Sequence, residues 1–399
     1  MSEKKIATRL IQSGEHRMAE KLAAARSYPK TLPIYLSSVF AFDDVEALEA
    51  AYADTDAGYI YSRMGNPSHE ALCNLLASAE GEETEALVTS SGMAAIILTI
   101  LSQVSAGDHV LATPVLYGGV YDYLKNELPR FQVQVDFVDP LHDDIEQAFR
   151  PNTKLLYTET ITNPLMEVFE LDVLADMAHR HGAKLVVDNT FATAAVCRPL
   201  RLGADISVYS ATKYLCGHSD LTGGAILASP EIIAHIRRYN TLYGTMLSAF
   251  DAWLLARSLR TLELRMRRHS DNALCLAEFF AQQPQITKVH YPGLHTSEFH
   301  NAASRQFLDQ QYGGMLSIDF AGGVPAADAF IALCDEVKLV PSLAGVSTSI
   351  SYPQRTSHRA YSAEELRQAG IAPGQLRISA GLEQVEDLIA EFTRALAKL

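Results

Sequence analysis

The stretch KLLYTETITNPLMEVFELDVLADMAHRHGAKLVVDNT, residues 154–190, contains one complete strand, helix, strand cycle. Two short apolar runs, KLLYTET and KLVVDNT, flank a segment of helical period, LDVLADMAHRHG. The cycle extends in both directions. Upstream, EALVTS precedes GMAAIILTILSQV, HVLATP precedes YGGVYDYLKNEL, and VQVDFVD precedes DDIEQAFR; downstream, DISVYSA leads to GGAILAS. Repeated from about residue 80 to 228, this alternation predicts an α/β fold with a mostly parallel sheet and helices on both faces. Such sheets bind ligands beyond the carboxyl ends of their strands.

Outside this region the pattern changes. Residues 1–62 read as an N-terminal arm with one short helix, FDDVEALEAAYAD, and residues 63–250 as the large domain. A long helical stretch from about residue 248, SAFDAWLLARSLRTLELRMRRHSDNALCLAEFFAQQ, leads into a smaller α+β C-terminal domain, residues 251–399. Its elements are KVHYPGL, GGMLSIDFA, AADAFIALCDEV, LVPSLAG, QLRISAG and a closing helix, VEDLIAEFTRALAKL. A chain of 399 residues with 48% hydrophobic and 20% charged residues is of globular composition. Its net charge of -14 argues against a nucleic-acid or anionic-membrane partner, because those require basic patches. Five scattered cysteines form no C-x-x-C pair, which argues for a reducing compartment and against a zinc site. The amino terminus has no signal-peptide core and no apolar run reaches membrane-spanning length. The expectation is a cytoplasmic protein without a metal site.

Strand ends in the large domain supply SSGMAAI (90–96), LYGG (116–119), ETITNP (159–164), VVDNTF (186–191) and SATKY (210–214). Lys213 follows two small hydroxyl residues, Ser210 and Thr212, that suit a phosphate. A lysine whose pKa is depressed by burial and dipoles is a nucleophile for a carbonyl; the alternative is a surface lysine. Asp188 ends the apolar run KLVV. A buried carboxylate needs a cation, and the protonated nitrogen of a pyridinium ring is one; pairing with an arginine, or capping a turn through Asn189 and Thr190, is the other reading. Gly92 and Met93 open a helix directly after a strand, an anion-binding arrangement. Tyr117 is either a ring stacked on a cofactor and a proton donor or a core residue. Arg63, in GYIYSRMGNPSHEAL (58–72), suits a phosphate or carboxylate unless it is only solvated. Arg377, in QLRISAG, needs an anion if it faces inward, either a substrate carboxylate or an internal aspartate.

Taken together, YIYSRMGNPS, SSGMAAI, YGG, ETITNP, VDNTF, SATKYLCGHSD and LRISAGLE closely resemble the Cys/Met metabolism family of pyridoxal phosphate (PLP) enzymes, in the family's order and over nearly the whole chain. The family includes cystathionine γ-synthase, cystathionine γ-lyase, methionine γ-lyase and O-acetylhomoserine sulfhydrylase. The resemblance implies the fold-type I, aspartate aminotransferase-like architecture and pyridoxal 5'-phosphate as cofactor. It makes Lys213 the Schiff-base lysine, Asp188 the partner of the pyridine nitrogen, Tyr117 the stacking ring, and Asn163 the partner of the 3-hydroxyl oxygen. Gly92, Met93, Ser210 and Thr212 would hold the phosphate. Tyr61 and Arg63 would reach the phosphate in a neighbouring subunit, which implies a homo-oligomer of at least two copies and usually a tetramer. Ser342 and Arg377 would take the carboxylate of an amino-acid substrate. The reaction implied is release of a γ substituent, with Lys213 moving the α and β protons and Tyr117 protonating the departing atom.

Several family positions differ. Prolines of the usual pattern are replaced by Ile161, Ala194 and Ala249, and the segment SLAGVSTSISYPQRTSH (342–358) stands where many relatives read approximately SLGGVESLIEHPASMTH. The first Glu of that pattern falls on Ser347 and its His on Tyr352. Ser347 offers no charge to the distal ammonium of cystathionine, so the expected substrate carries a small or uncharged γ group: methionine, an acylated homoserine, or a halogenated or unsaturated analogue. Gly119 falls where methionine γ-lyases tend to carry cysteine, which weakens methionine itself. The expected reaction is γ-elimination. The alternatives are γ-replacement with a thiol, β-elimination from cystathionine or cysteine, and a PLP-binding protein that has lost catalysis.

Overall fold

The computed structural model describes residues 4–12, 30–54, 57–81, 83–359 and 361–399. Parts of the expected N-terminal arm, residues 1–3, 13–29 and 55–56, lie outside the described residues. The strands are β1 (Glu85–Thr89), β2 (His109–Ala112), β3 (Gln134–Phe137), β4 (Thr153–Glu159), β5 (Lys184–Asp188), β6 (Ile206–Ser210), β7 (Gly224–Ala228), β8 (Ile286–His290), β9 (Met315–Phe320), β10 (Lys338–Leu339), β11 (Ser349–Ser351) and β12 (Leu376–Ser379). The chain forms two compact units: residues 1–102, 208–216 and 220–261 make one, and residues 103–207, 217–219 and 262–399 the other.

In the first unit, β1 pairs antiparallel with β7, from Glu85 opposite Ala228 to Thr89 opposite Gly224. Its helices start where their sequences supply caps. The Asp44 side chain accepts from Ala47 N at the start of the expected helix Val45–Ala53. Asn66 accepts from Ser68 N, and Pro67 occupies the first turn of the helix Pro67–Glu80, where a missing N–H costs nothing. The helix Pro230–Tyr243 ends at Gly244, whose φ of 69° is the left-handed conformation that favours glycine.

In the second unit, β2 pairs parallel with both β3 and β4, and β4 pairs parallel with β5, with Glu159 opposite Asp188 at the strand ends. Buried leucine and valine fill β2, β4 and β5, as strands covered on both faces require. The same unit contains a five-stranded sheet in the order β10-β11-β12-β9-β8, antiparallel except for β10 with β11. Phe280, Phe330 and Phe392 pack together beneath it, with centroids 5.1–6.3 Å apart.

Two details depart from the expected elements. The helical stretch from residue 248 is two helices, Ala249–Leu259 and Leu262–Ala281. At the break Arg260 N and Thr261 N tighten onto the i−3 carbonyls of Arg257 and Ser258, and Thr261 Oγ1 also takes the Ser258 carbonyl. Strand β11 was not expected, because its three residues, Ser349–Ser351, carry one apolar side chain and make too short a run to mark a strand. Among the described residues, no helix is long and apolar enough to cross a membrane.

Candidate active site

Two groups of chemistry-bearing residues are assembled, one in each unit. In the first unit, the helix Gly92–Gln103 starts directly after β1 and its following serines. Ser91 Oγ accepts from Ala94 N at 3.1 Å. The amides of Gly92 and Met93 belong to the first turn, where the helix itself has no carbonyl to offer. Ser210, the last residue of β6, lies against this helix start: a Cβ added to Gly92 would fall 2.6 Å from Ser210 Cβ. Gly92 therefore permits a hydroxyl and a set of first-turn amides to share one small space. Lys213 follows in a turn, half-buried, with its backbone N–H bonded to Ser210 O at 3.1 Å. Thr212 Oγ1 accepts from Gly223 N at 3.0 Å. Tyr61 and Arg63 are exposed, and Arg63 Nη1 donates to Thr241 O at 2.6 Å.

In the second unit, β4 and β5 end side by side in two buried carboxylates, Glu159 and Asp188. Asp188, 8% exposed, accepts from Thr190 N at 2.9 Å, so the turn-capping contact is present. Burial raises its pKa from 3.8 to about 6, against the Thr190 bonds that favour the charge. Glu159 is pushed well above the ordinary carboxylate range by burial and then by the Asp188 charge. Each Glu159 oxygen holds one backbone amide: Oε1 accepts from Tyr117 N at 2.7 Å and Oε2 from Asn163 N at 2.9 Å. One carboxylate thereby fixes two of the expected site residues.

Tyr117 is not in the core. It precedes the helix Gly118–Asp122 and is 41% exposed. Arg377, on β12 and 3% exposed, donates from Nη1 to Asn163 Oδ1 at 2.7 Å. That contact directs the Asn163 carbonyl to the arginine and leaves its amide N–H₂ as a donor for another oxygen. Ser342 is half-buried in the same unit. His358 is buried beside Tyr117, with Nε2 3.1 Å from Leu116 O.

Sequence reasoning singled out neither Glu159 nor His358. Glu159 carries the same signal as Asp188, an acid ending an apolar run, and sits inside a motif already noted as a unit. His358 carries no local signal for this placement, because the carbonyl its Nε2 meets, Leu116 O, is 242 residues distant.

The sequence profile of the family described as Cys/Met metabolism PLP-dependent enzyme matches residues 7–397. An L-methionine γ-lyase of Fusobacterium nucleatum subsp. polymorphum is 40% identical over 372 residues, covering 92% of this chain and 93% of that protein. An O-succinylhomoserine sulfhydrylase of Pseudomonas aeruginosa is 38% identical over 368 residues, covering 92% of this chain and 90% of its own length. The crystal structure of cystathionine γ-synthase from Xanthomonas oryzae pv. oryzae, in complex with aminoacrylate and cysteine, superposes with a TM-score of 0.90 at 33% identity, over 99% of this chain and 98% of the other. The architecture is thus that of fold-type I PLP enzymes. With the match running through every motif from YIYSRMGNPS to LRISAGLE, the chain belongs to the Cys/Met metabolism family of PLP-dependent enzymes.

Proposed function

We propose that this enzyme catalyses γ-elimination from an L-amino acid bearing a small or uncharged γ leaving group, releasing a 2-oxo acid and ammonia. The residues present fit pyridoxal phosphate. The first-turn amides of Gly92 and Met93, with Ser210, suit the phosphate, and the Gly92 backbone has no room for a side chain. Thr212 joins them by turning its hydroxyl from Gly223. A carboxylate held high by burial, Asp188, is stabilised by a protonated ring nitrogen. The Asn163 amide suits the 3-hydroxyl oxygen, and the exposed face of Tyr117 suits stacking on the ring. When bound, the cofactor supplies an electron sink for the bonding pair left at the substrate α carbon.

The chain supplies the rest. Lys213 would hold the cofactor through its Nζ and, once freed, would be the base at the substrate α carbon and, after passing that proton on, at the β carbon. Arg377, with Ser342, binds the substrate carboxylate and orients the α C–H bond. Tyr117 Oη donates a proton to the departing γ atom. Tyr61 and Arg63 are assigned to the phosphate in a second copy of the chain, in a homotetramer of the cytoplasm.

The observation that carries the substrate class is Ser347. It is exposed and uncharged, and the neighbouring carboxylate, Glu383, is already engaged by Thr348 N at 2.5 Å and Thr348 Oγ1 at 2.8 Å. Ser347 itself offers no charge to a distal ammonium, and each oxygen of Glu383 is already directed to Thr348. The test is incubation with L-methionine, O-acetyl-L-homoserine and L-cystathionine, each with and without thiol. The expected result is 2-oxo acid and ammonia without thiol, with higher kcat/KM for the first two substrates than for cystathionine. Turnover only after thiol is added would replace elimination by γ-replacement.

A further inference from the structure

The backbone that carries Tyr117 is held from three directions. Glu159 Oε1 accepts from its N–H at 2.7 Å. The carbonyl before it, Leu116 O, lies 3.1 Å from His358 Nε2. The residue after it, Gly118, lies so close to the Ser357 carbonyl that a methyl built there would fall 1.8 Å from the oxygen.

The His358 ring can be assigned its protons. Burial lowers its pKa to about 4, so at neutral pH it carries one N–H. Leu116 O and the Asn163 backbone carbonyl, which also meets the ring, only accept; with the proton on Nε2, 3.1 Å from Leu116 O, Nδ1 accepts from Ser357 Oγ at 2.9 Å. The ring also meets Tyr361 edge-on, with centroids 4.9 Å apart. Tyr361 in turn belongs to an apolar cluster with Val115, Leu165 and Leu366, so the turn is fixed through Val115 as well. These contacts determine the backbone at Tyr117 and leave only side-chain torsions to place its hydroxyl.

We infer that His358, oriented by Ser357, is a positioning residue that sets where Tyr117 presents its hydroxyl to the leaving group. The inference rests on the proton-donor role proposed above for Tyr117. An oriented donor is worth far more than a mobile one, because small displacements at the reacting atoms cost large factors in rate. The α proton is assigned to a different group, Lys213, so the two steps should respond differently to the loss of His358.

The experiment compares wild type, His358→Ala, His358→Gln, Tyr117→Phe and the Tyr117→Phe/His358→Ala double variant as holoenzymes. Three quantities are read: γ-elimination turnover, exchange of the α proton of L-norleucine into D₂O by NMR, and visible circular dichroism of the bound cofactor. His358→Ala lowers elimination about 10- to 100-fold, leaves exchange near the wild-type rate, and alters the dichroic band as the stacked ring shifts. His358→Gln restores most of the loss, since its side-chain amide also donates to a carbonyl. The double variant is no slower than Tyr117→Phe alone, as expected of residues acting through one group.

Parallel loss of exchange and elimination, an unchanged dichroic band, or additive losses in the double variant would overturn the inference. If His358→Ala does not fold, Ser357→Ala carries the same comparison, because it keeps the imidazole and removes only its Nδ1 anchor. Wild-type turnover that requires thiol defeats the elimination reading alone. The split is then read on replacement, and the role of His358 stands or falls separately.

Discussion

Asp188 and Glu159 place two acids opposite each other at the ends of paired buried strands, an arrangement that costs stability unless a cation or a proton intervenes. With the folded pKa of Asp188 raised from 3.8 to about 6, the folded state binds its proton more tightly than the unfolded chain does. Its contribution is therefore full below pH 4 and is lost as pH rises through about 6. In protein stripped of cofactor, Asp188→Asn should match wild type at pH 4 and exceed it above pH 6, by on the order of 1–3 kcal/mol, as measured by urea unfolding. Asparagine keeps the Oδ1 contact to Thr190, so the turn survives the change. With cofactor present the sign reverses: the variant loses the charge that holds the ring nitrogen and should bind PLP more weakly. A variant equally stable at both pH values, with wild-type cofactor affinity, would remove Asp188 from this role. Asp188 was legible because it ends a run of four apolar or aliphatic-stemmed residues, where a carboxylate requires explanation. Glu159 ends a run that Thr158 interrupts, and its two amide partners depend on the turn at Tyr117 and on the loop to Asn163, a convergence that no local pattern encodes.

At the level of elements, the candidate residues lie where strand ends meet helix starts, and in the first unit the end of β6 packs closely on the start of the helix Gly92–Gln103. Gly92→Ala forces a methyl to within 2.6 Å of Ser210 Cβ, closer than carbon atoms approach, so the helix start or the strand end must move. Overpacking of this kind costs roughly 1–3 kcal/mol. The displaced atoms are the first-turn amides and the hydroxyl assigned to the phosphate. PLP affinity, measured by reconstitution of the stripped protein, should therefore fall more steeply than the melting temperature does. Equal affinity with reduced stability would confine Gly92 to packing. The junction was readable because a strand of alternating type runs straight into a helical period at SSGMAAI. The break at Arg260–Thr261 was not, because apolar spacing continues across it while the hydrogen-bond ladder tightens. Strand β11 was hidden for a different reason: it is three residues long, and its two serines are buried beside Ile350, so one apolar side chain is all that marks it.

For the molecule as a whole, a net charge of -14 argues against some partners and names none, and the surface of the first unit offers a candidate. Val39 forms an isolated bridge with Tyr61, and Arg63 in the same turn donates to Thr241 O, which joins this turn to the end of the helix Pro230–Tyr243. Along that joined surface Val39, Tyr61 and Met64 are exposed, as are Leu242 at 70% and Tyr243 at 58%. Exposed apolar side chains on segments joined in this way are what an interaction surface offers. The partner proposed is a second copy of the chain, because Tyr61 and Arg63 are the residues assigned to a neighbouring subunit's phosphate. Leu242→Asp places a charge on this surface without touching the core. It should lower the mass seen in sedimentation velocity, and cofactor retention should fall with it, since each copy then lacks its neighbour's arginine. Raising the protein concentration should recover both together, because association acts on them by mass action. If the variant sediments like wild type and retains its cofactor on dilution, Leu242 lies outside the contact. If the mass falls while retention does not, each chain holds its phosphate with Gly92, Met93, Ser210 and Thr212 alone, and Arg63 serves only its own chain through Thr241.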